Sequence, residues 1–193
     1  HAPGLIAPSF KFIYEHRDLW RGINMAGRED NEKGHPRRFT DAYDAALRRF
    51  PNVGIAIHAG EENEPSRHIF DTLRLGATRI GHGVNLIDDA RVMQLMRCGK
   101  FLLEINMVSN HLLGYVDEPA DHPFPIYLRQ GIPCCLSTDD RGMWDSNMTD
   151  EYFLAVTQFN LSWEEIRMMG RNSLEFAFAE TGVKSALVEK FER

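Results

Sequence analysis

No pair of cysteines in this chain has the spacing of a metal or redox motif. Three are present, Cys98, Cys134 and Cys135. Adjacent cysteines rarely pair with each other, so all three read as small apolar fillers of strand and helix. The redox compartment stays open. Basic runs are also absent. The net charge is −6 and no Lys/Arg stripe occurs, which argues against nucleic acid. No apolar segment approaches the length of a membrane span. No signal peptide is visible at the start. The opening His1-Ala2-Pro3-Gly4 reads as the middle of a loop and holds no initiator Met. The chain is therefore expected to be part of a longer protein, and its compartment, cytoplasmic or exported, stays open. No G-x-G-x-x-G follows an apolar run, so a dinucleotide fold has little support.

What is there suits one globular unit: 193 residues, 43% of them hydrophobic. The chain is organised around Ile55-Ala56-Ile57-His58-Ala59-Gly60-Glu61. A short β-branched run stops at a histidine, and a carboxylate follows two small residues later. Such a run reads as a buried strand. Arg79-Ile80-Gly81-His82-Gly83 and Leu136-Ser137-Thr138-Asp139-Asp140 repeat the pattern. Each is an apolar strand ending in a group that can bind a metal or move a proton.

Between these runs the spacing predicts helices. Expected elements are a helix over 9–19, a strand over 20–26, and an amphipathic helix from Phe39 to Phe50. A second helix around Ile69–Leu73 closes at Gly76. Strand 78–81 follows, then a helix opened by Asp88-Asp89 and ended by Gly99. Strand 101–105 runs into Asn106. A helix through Tyr127 ends at Gly131, and strand 132–137 delivers Asp139. The rest is helical. Thr149 is expected to cap one helix and Ser162 to open a second with Glu165. Two more are expected over 171–180 and 185–191, parted near Gly182. Strand and helix alternate about five times, which means βαβ units and a parallel sheet. The repeat of about 25–30 residues fits a (β/α)8 barrel. In a barrel, Gly27, His58, His82, Asn110 and Asp139 would meet at one mouth. His1, His16, His35, His68, His111 and His122 lack ligand spacing with one another and read mostly as surface residues.

A histidine and an aspartate from separate strands suit zinc or a similar divalent ion. Such an ion makes a nucleophile of water at neutral pH. A histidine can then handle the proton, and a carboxylic acid can protonate the electrophile or leaving group.

His58-Ala59-Gly60-Glu61, Gly81-His82-Gly83, Ser109-Asn110 with Leu113-Gly114, and Ser137-Thr138-Asp139-Asp140 resemble the adenosine/AMP deaminase family of the amidohydrolase superfamily. Ala26-Gly27-Arg28-Glu29 is similar to that family's substrate-strand motif, and Arg171-Asn172-Ser173 to its C-terminal helix signature. The likeness covers nearly the whole chain, in order. Its flavour is that of the adenosine deaminase-related growth-factor-like branch and its bacterial relatives. The resemblance implies His58 and Asp139 as metal ligands and Glu61 as the acid that protonates purine N1. It implies that His82 orients and deprotonates the attacking water and stabilises the hydroxide. Asp140 would bond N7, and the Gly27 N–H would contact N3. Adenosine, a small purine nucleoside, would become inosine with loss of ammonia. The cytidine-deaminase type of zinc site is a different one: Pro133-Cys134-Cys135 lacks its second spaced cysteine.

The sequence departs from the family in two ways. The family's first strand carries a His-x-His pair, and this chain has none. Only about five strands are expected where a barrel needs eight. Residues 1–193 therefore read as a single domain, the C-terminal part of a deaminase barrel. Its partner would be the N-terminal part of the same barrel, which supplies two further ligands to one zinc per complete site. Alone, the chain is expected to be inactive and poorly stable, since an open barrel exposes its edges. Arg141 stands where the family commonly has Pro and could meet an anionic group. Two other readings compete: a non-catalytic nucleoside-binding or signalling protein that keeps the fold, and a different amidohydrolase reaction.

Overall fold

The computed structural model describes residues 2–29, 32–62 and 67–193. The expectation for His1 lies outside the described residues. Helix α1 spans Ile6–Glu15 and buries Ile6, Phe10 and Ile13, which recur at helical spacing. It starts and ends earlier than the 9–19 expected. Strand β1, Gly22–Met25, is shorter than 20–26. Helix α2, Thr40–Arg49, lies between Phe39 and Phe50, both buried. Strand β2, Gly54–Ala59, alternates as a two-faced strand does, with Ile55, Ile57 and Ala59 buried. Helix α3 is His68–Arg74, and Gly76 follows its cap with a positive φ, as its sequence position predicts.

Strand β3 is Arg79–His82, and helix α4, Ala90–Cys98, is capped by Asp89 through the N–H groups of Arg91 and Val92. Strand β4 is Leu102–Ile105, and helix α5, Met107–Leu112, follows at once. Helix α6 is Phe124–Arg129, strand β5 is Cys134–Leu136, and the single turn α7 is Arg141–Trp144. The chain ends in α8, Met148–Phe159, α9, Trp163–Glu175, and α10, Thr181–Glu192.

Three local expectations are corrected. The cap of α8 is Asn147, paired with Asp150 in a capping box, and not Thr149. Asp150 reaches back only to Asn147, and that contact chooses between two suitable residues. The last break falls at 176–180, not at Gly182, which sits inside α10. The break exists because Phe178 leaves the helix to pack beneath the sheet. Its ring fills the space a side chain on Gly22 or Gly54 would need. Helix α5 is not anticipated at all. The carboxylate of Glu151, far away on α8, accepts the N–H groups of Met107 and Val108, at 3.0 and 3.4 Å. A cap supplied from that distance leaves no local signal.

The five strands form one parallel sheet in the order β1-β2-β3-β4-β5. A doubly wound sheet reverses its strand order once, and this one never does. Right-handed crossovers in unbroken sequence put the helices on one side and curl the sheet. The sheet is a portion of a (β/α)8 barrel. Register places His58 opposite Gly81, Gly81 opposite Glu104, and Glu104 opposite Cys135, so these residues share one interior row. A side chain on Gly81 would meet the His58 ring, so the glycine makes room for it. Arg79 and Glu104 pair within the barrel, and Arg79 also donates to the Phe176 carbonyl at 3.1 Å. Residues 176–178 thus close the end opposite the candidate site.

Candidate active site

The C-terminal ends of β2, β3 and β5 bring His58, His82 and Asp139 together, with Glu61 beside them. One ligand atom from each of His58, His82 and Asp139 lies within 4.8 Å of the other two. His82 Nε2 is 3.0 Å from His58 Nδ1 and 3.5 Å from a Glu61 oxygen. His58 Nε2 faces the Asn24 amide at 3.4 Å. Two of these residues hold backbone conformations that side chains disfavour. His82 has φ 68° and Asp139 φ 53°. Left-handed backbone costs on the order of 1–3 kcal/mol and concentrates at functional sites.

Buried partners hold the cluster in place. The Ser109 hydroxyl donates to Asp139 at 2.7 Å. His82 Nδ1 lies 2.9 Å from the amide nitrogen of Asn106 and 3.0 Å from that of Asn110. Asn110 Oδ1 in turn lies 3.2 Å from His122 Nε2. Glu29, 3% exposed, accepts the N–H groups of Gly60 and Glu61 at 2.9 and 3.1 Å. Its carboxylate also lies 3.6 Å from His68 Nδ1.

This burial shapes the protonation of the cluster. Desolvation, with Asp139 and Glu29 adding repulsion, raises the Glu61 pKa to about 8. Glu61 therefore holds its proton at neutral pH, as a general acid must. Burial, reinforced by His58 and His122, lowers His82 to about 3, so its ring is neutral. Burial also lowers His58, against the opposing pull of Asp139, Glu104 and Asp140.

The donor set of two imidazoles and a carboxylate is that of a zinc or similar site. Tetrahedral zinc bonds of about 2.0–2.1 Å put ligand atoms a little over 3 Å apart. Within 4.8 Å of one another, the groups stand close enough for an ion held by His58 and Asp139 to lie beside His82. Asp140 is exposed at the start of α7, and its charge reaches both His58 and Glu61. Gly27 lies exposed beyond β1 with φ 147°, and it enters none of the hydrogen bonds of the cluster among the described residues.

Sequence reasoning missed several members. His68 and His122 are buried at 5% and 3% exposure, not surface residues. Each is a lone histidine in a polar stretch, and only a distant partner marks it. Asn106 is also missed. Asn110 is wholly buried within the cluster, whereas His111 turns to the Val116 carbonyl at 3.4 Å.

The family model described as adenosine deaminase matches residues 10–193. An adenosine deaminase of Enterococcus faecalis is 33% identical over 172 residues, 89% of this chain and 50% of its own length. One from Yersinia pseudotuberculosis is 35% identical over 184 residues, 92% of this chain and 52% of its own. The chain thus spans about half the length of these relatives. Among solved structures, the adenine deaminase of Arthrobacter aurescens superposes with TM-score 0.86 at 25% identity, covering 99% of this chain and 57% of that one. An Arabidopsis protein titled ADAL, complexed with IMP, superposes with TM-score 0.85 at 25% identity, covering 100% and 55%. None of these likenesses singles out the growth-factor-like branch. On strand-end motifs, topology and matched length together, the chain belongs to the adenosine deaminase family.

Proposed function

We propose that the protein containing this chain hydrolyses the 6-amino group of adenosine or a related 6-aminopurine, giving inosine and ammonia. The observation that carries this reading is a largely buried carboxyl, Glu61, 3.5 Å from His82 Nε2 beside the His58–His82–Asp139 group, where burial raises its pKa. Glu61 donates to N1 of the purine, which makes C6 electrophilic. His82 orients the attacking water. A C–O bond forms at C6 as the water gives its protons to the Glu61 carboxylate left by N1 protonation, and the C–N bond breaks as the amino group takes one of them and leaves as ammonia. His58 and Asp139 would hold a zinc ion, which when bound would supply the Lewis acidity that makes a nucleophile of water at neutral pH. Asp140 bonds N7, and the Gly27 N–H contacts N3. Fixed groups of this kind stabilise the transition state without reorganising.

The chain is the C-terminal part of the barrel in this reading. The N-terminal strands supply two further zinc ligands and close the sheet. Support comes from β1 and β5, each of which pairs with one strand only among the described residues, and from the half-length match to relatives.

Arg141 favours a second reading of the substrate. It is exposed immediately after the Asp139-Asp140 pair, and the ADAL protein of similar fold binds IMP. A nucleoside monophosphate would place its phosphate near this guanidinium.

The test is zinc content together with an ultraviolet adenosine-to-inosine assay, on the 193-residue chain and on the full-length gene product. One zinc per full-length chain, with turnover, is the expected result. An intact protein without metal or turnover would overturn the reading in favour of a nucleoside-binding protein. Faster turnover of AMP, lost in Arg141→Ala, would select the nucleotide.

A further inference from the structure

The cluster contains a hydrogen-bond chain whose direction is set by a backbone amide outside the site. The Phe124 N–H donates to His122 Nδ1 at 3.2 Å. A backbone N–H can only donate, so Nδ1 carries a lone pair and the neutral ring keeps its hydrogen on Nε2. That N–H faces Asn110 Oδ1 at 3.2 Å and fixes which way the amide points. The other end of the amide, Nδ2, then donates to His82 Nδ1 at 3.0 Å. With its Nδ1 accepting, His82 keeps its own hydrogen on Nε2, the nitrogen that faces His58 and Glu61. His122 is 3% exposed, and Asn110 and His82 are fully buried, so water does not compete for these bonds.

Asn106 alone leaves the choice open. Its Oδ1 is buried with no hydrogen-bond partner. Turning its amide over would offer that oxygen to His82 Nδ1 and favour the opposite tautomer. Asn110 cannot turn in the same way without setting its NH2 against the His122 N–H.

We propose that His122 is a positioning residue which, through Asn110, fixes His82 in the tautomer with hydrogen on Nε2, so that His82 meets the reactants as a hydrogen-bond donor. Its bearing on catalysis rests on the deaminase reading above; the tautomer itself does not. As a donor, His82 holds the attacking oxygen in place, and the proton that oxygen loses goes to the Glu61 carboxylate that N1 protonation leaves beside it.

Long-range proton–nitrogen correlation spectra of metal-free, histidine-labelled protein report which ring nitrogen carries hydrogen. Expected are an unprotonated Nδ1 and a protonated Nε2 for both His82 and His122. His122→Leu removes the donor and lets the Asn110 amide turn, so the His82 tautomers become mixed. His122→Gln keeps an N–H near the same place and restores the single form. In the full-length enzyme, His122→Leu lowers kcat by about 10- to 100-fold with KM roughly unchanged, as loss of an outer-shell partner does, and His122→Gln recovers most of it. Hydrogen on His82 Nδ1 in the unsubstituted protein would overturn the proposal, and so would an unchanged His82 tautomer in a folded His122→Leu. The first of these readings needs no substitution. A relay that behaves as expected in a protein with no deaminase activity would sink the deaminase reading and leave the relay standing.

Discussion

The carboxylate of Glu29 accepts the backbone N–H of Glu61 at 3.1 Å and that of its neighbour Gly60 at 2.9 Å. Glu29 therefore positions Glu61 by its main chain, while its charge helps keep the Glu61 carboxyl protonated. Glu29→Gln turns an NH2 toward one of two buried donors. The expected cost is about 1–3 kcal/mol of stability, read by urea unfolding. Stability unchanged by the substitution would show that the two N–H groups are satisfied in another way.

Phe178 and the glycines it packs against give a packing test. Gly54→Ala and Gly22→Ala each force the ring aside and are expected to cost about 1–3 kcal/mol. Phe178→Ala removes a half-buried ring and costs less alone than the about 3–5 kcal/mol of a fully buried phenylalanine. Combined with Gly54→Ala, part of that cost is recovered. Strictly additive losses in the double-mutant cycle would show that ring and glycine do not meet.

Ser109 touches the candidate metal group through Asp139. Removing its hydroxyl leaves Asp139 without the 2.7 Å bond that orients it. Ser109→Ala is expected to weaken zinc binding by about 10- to 100-fold, measured by competition with a chromophoric chelator. His58→Ala, which deletes one of the proposed ligands, is expected to weaken it more. Equal affinities in wild type and Ser109→Ala would remove Ser109 from this role.

The buried titratable groups predict a stability maximum near pH 6 for metal-free protein. Burial lowers His68 and His122 to about 4 and His82 to about 3, against 6.5 when unfolded. Below pH 6.5 the unfolded chain binds more protons at these histidines, so stability falls as pH drops toward 4. Burial raises Glu61 to about 8 and Glu151 to about 7, against 4.5 when unfolded. Here the folded chain binds more protons, so stability falls as pH rises through 7 and 8. Each proton of difference is worth about 1.4 kcal/mol per pH unit. Thermal melts from pH 4 to 9 should show both limbs, and Glu151→Gln should flatten the alkaline one. A melting temperature that rises steadily to pH 9 would contradict these assignments.

Much of this molecule was legible in its sequence because the barrel repeats one simple unit. Apolar runs ending at His58, His82 and Asp139 identify strands and mouth together, since a barrel carries its chemistry where strands end. Capping signals such as Ser162 with Glu165 are local and read correctly. What escaped depends on residues far apart in the chain. Glu151 caps α5 from 43 or 44 positions away. Asn110 reaches His82 across 28 positions, and His122 reaches Asn110 across 12. Periodicity and propensity are nearly blind to such contacts, because a buried polar partner has no pattern of its own. The stop of α9 before Phe178 has the same origin: the helix ends where an aromatic ring has a better place beneath the sheet.

The left-handed backbone at His82 and Asp139 bears on which substitutions these two positions accept. A residue there is chosen twice, once for its chemistry and once for tolerance of positive φ. Asn, Asp and His enter that region more readily than most side chains, and glycine does so freely. A library randomised at both positions and sorted only for folded protein should return glycine and asparagine, with valine and isoleucine purged. Sorted for turnover, the same library should return His82 and Asp139. Selection for foldedness alone would therefore erode this site first at its two most strained residues.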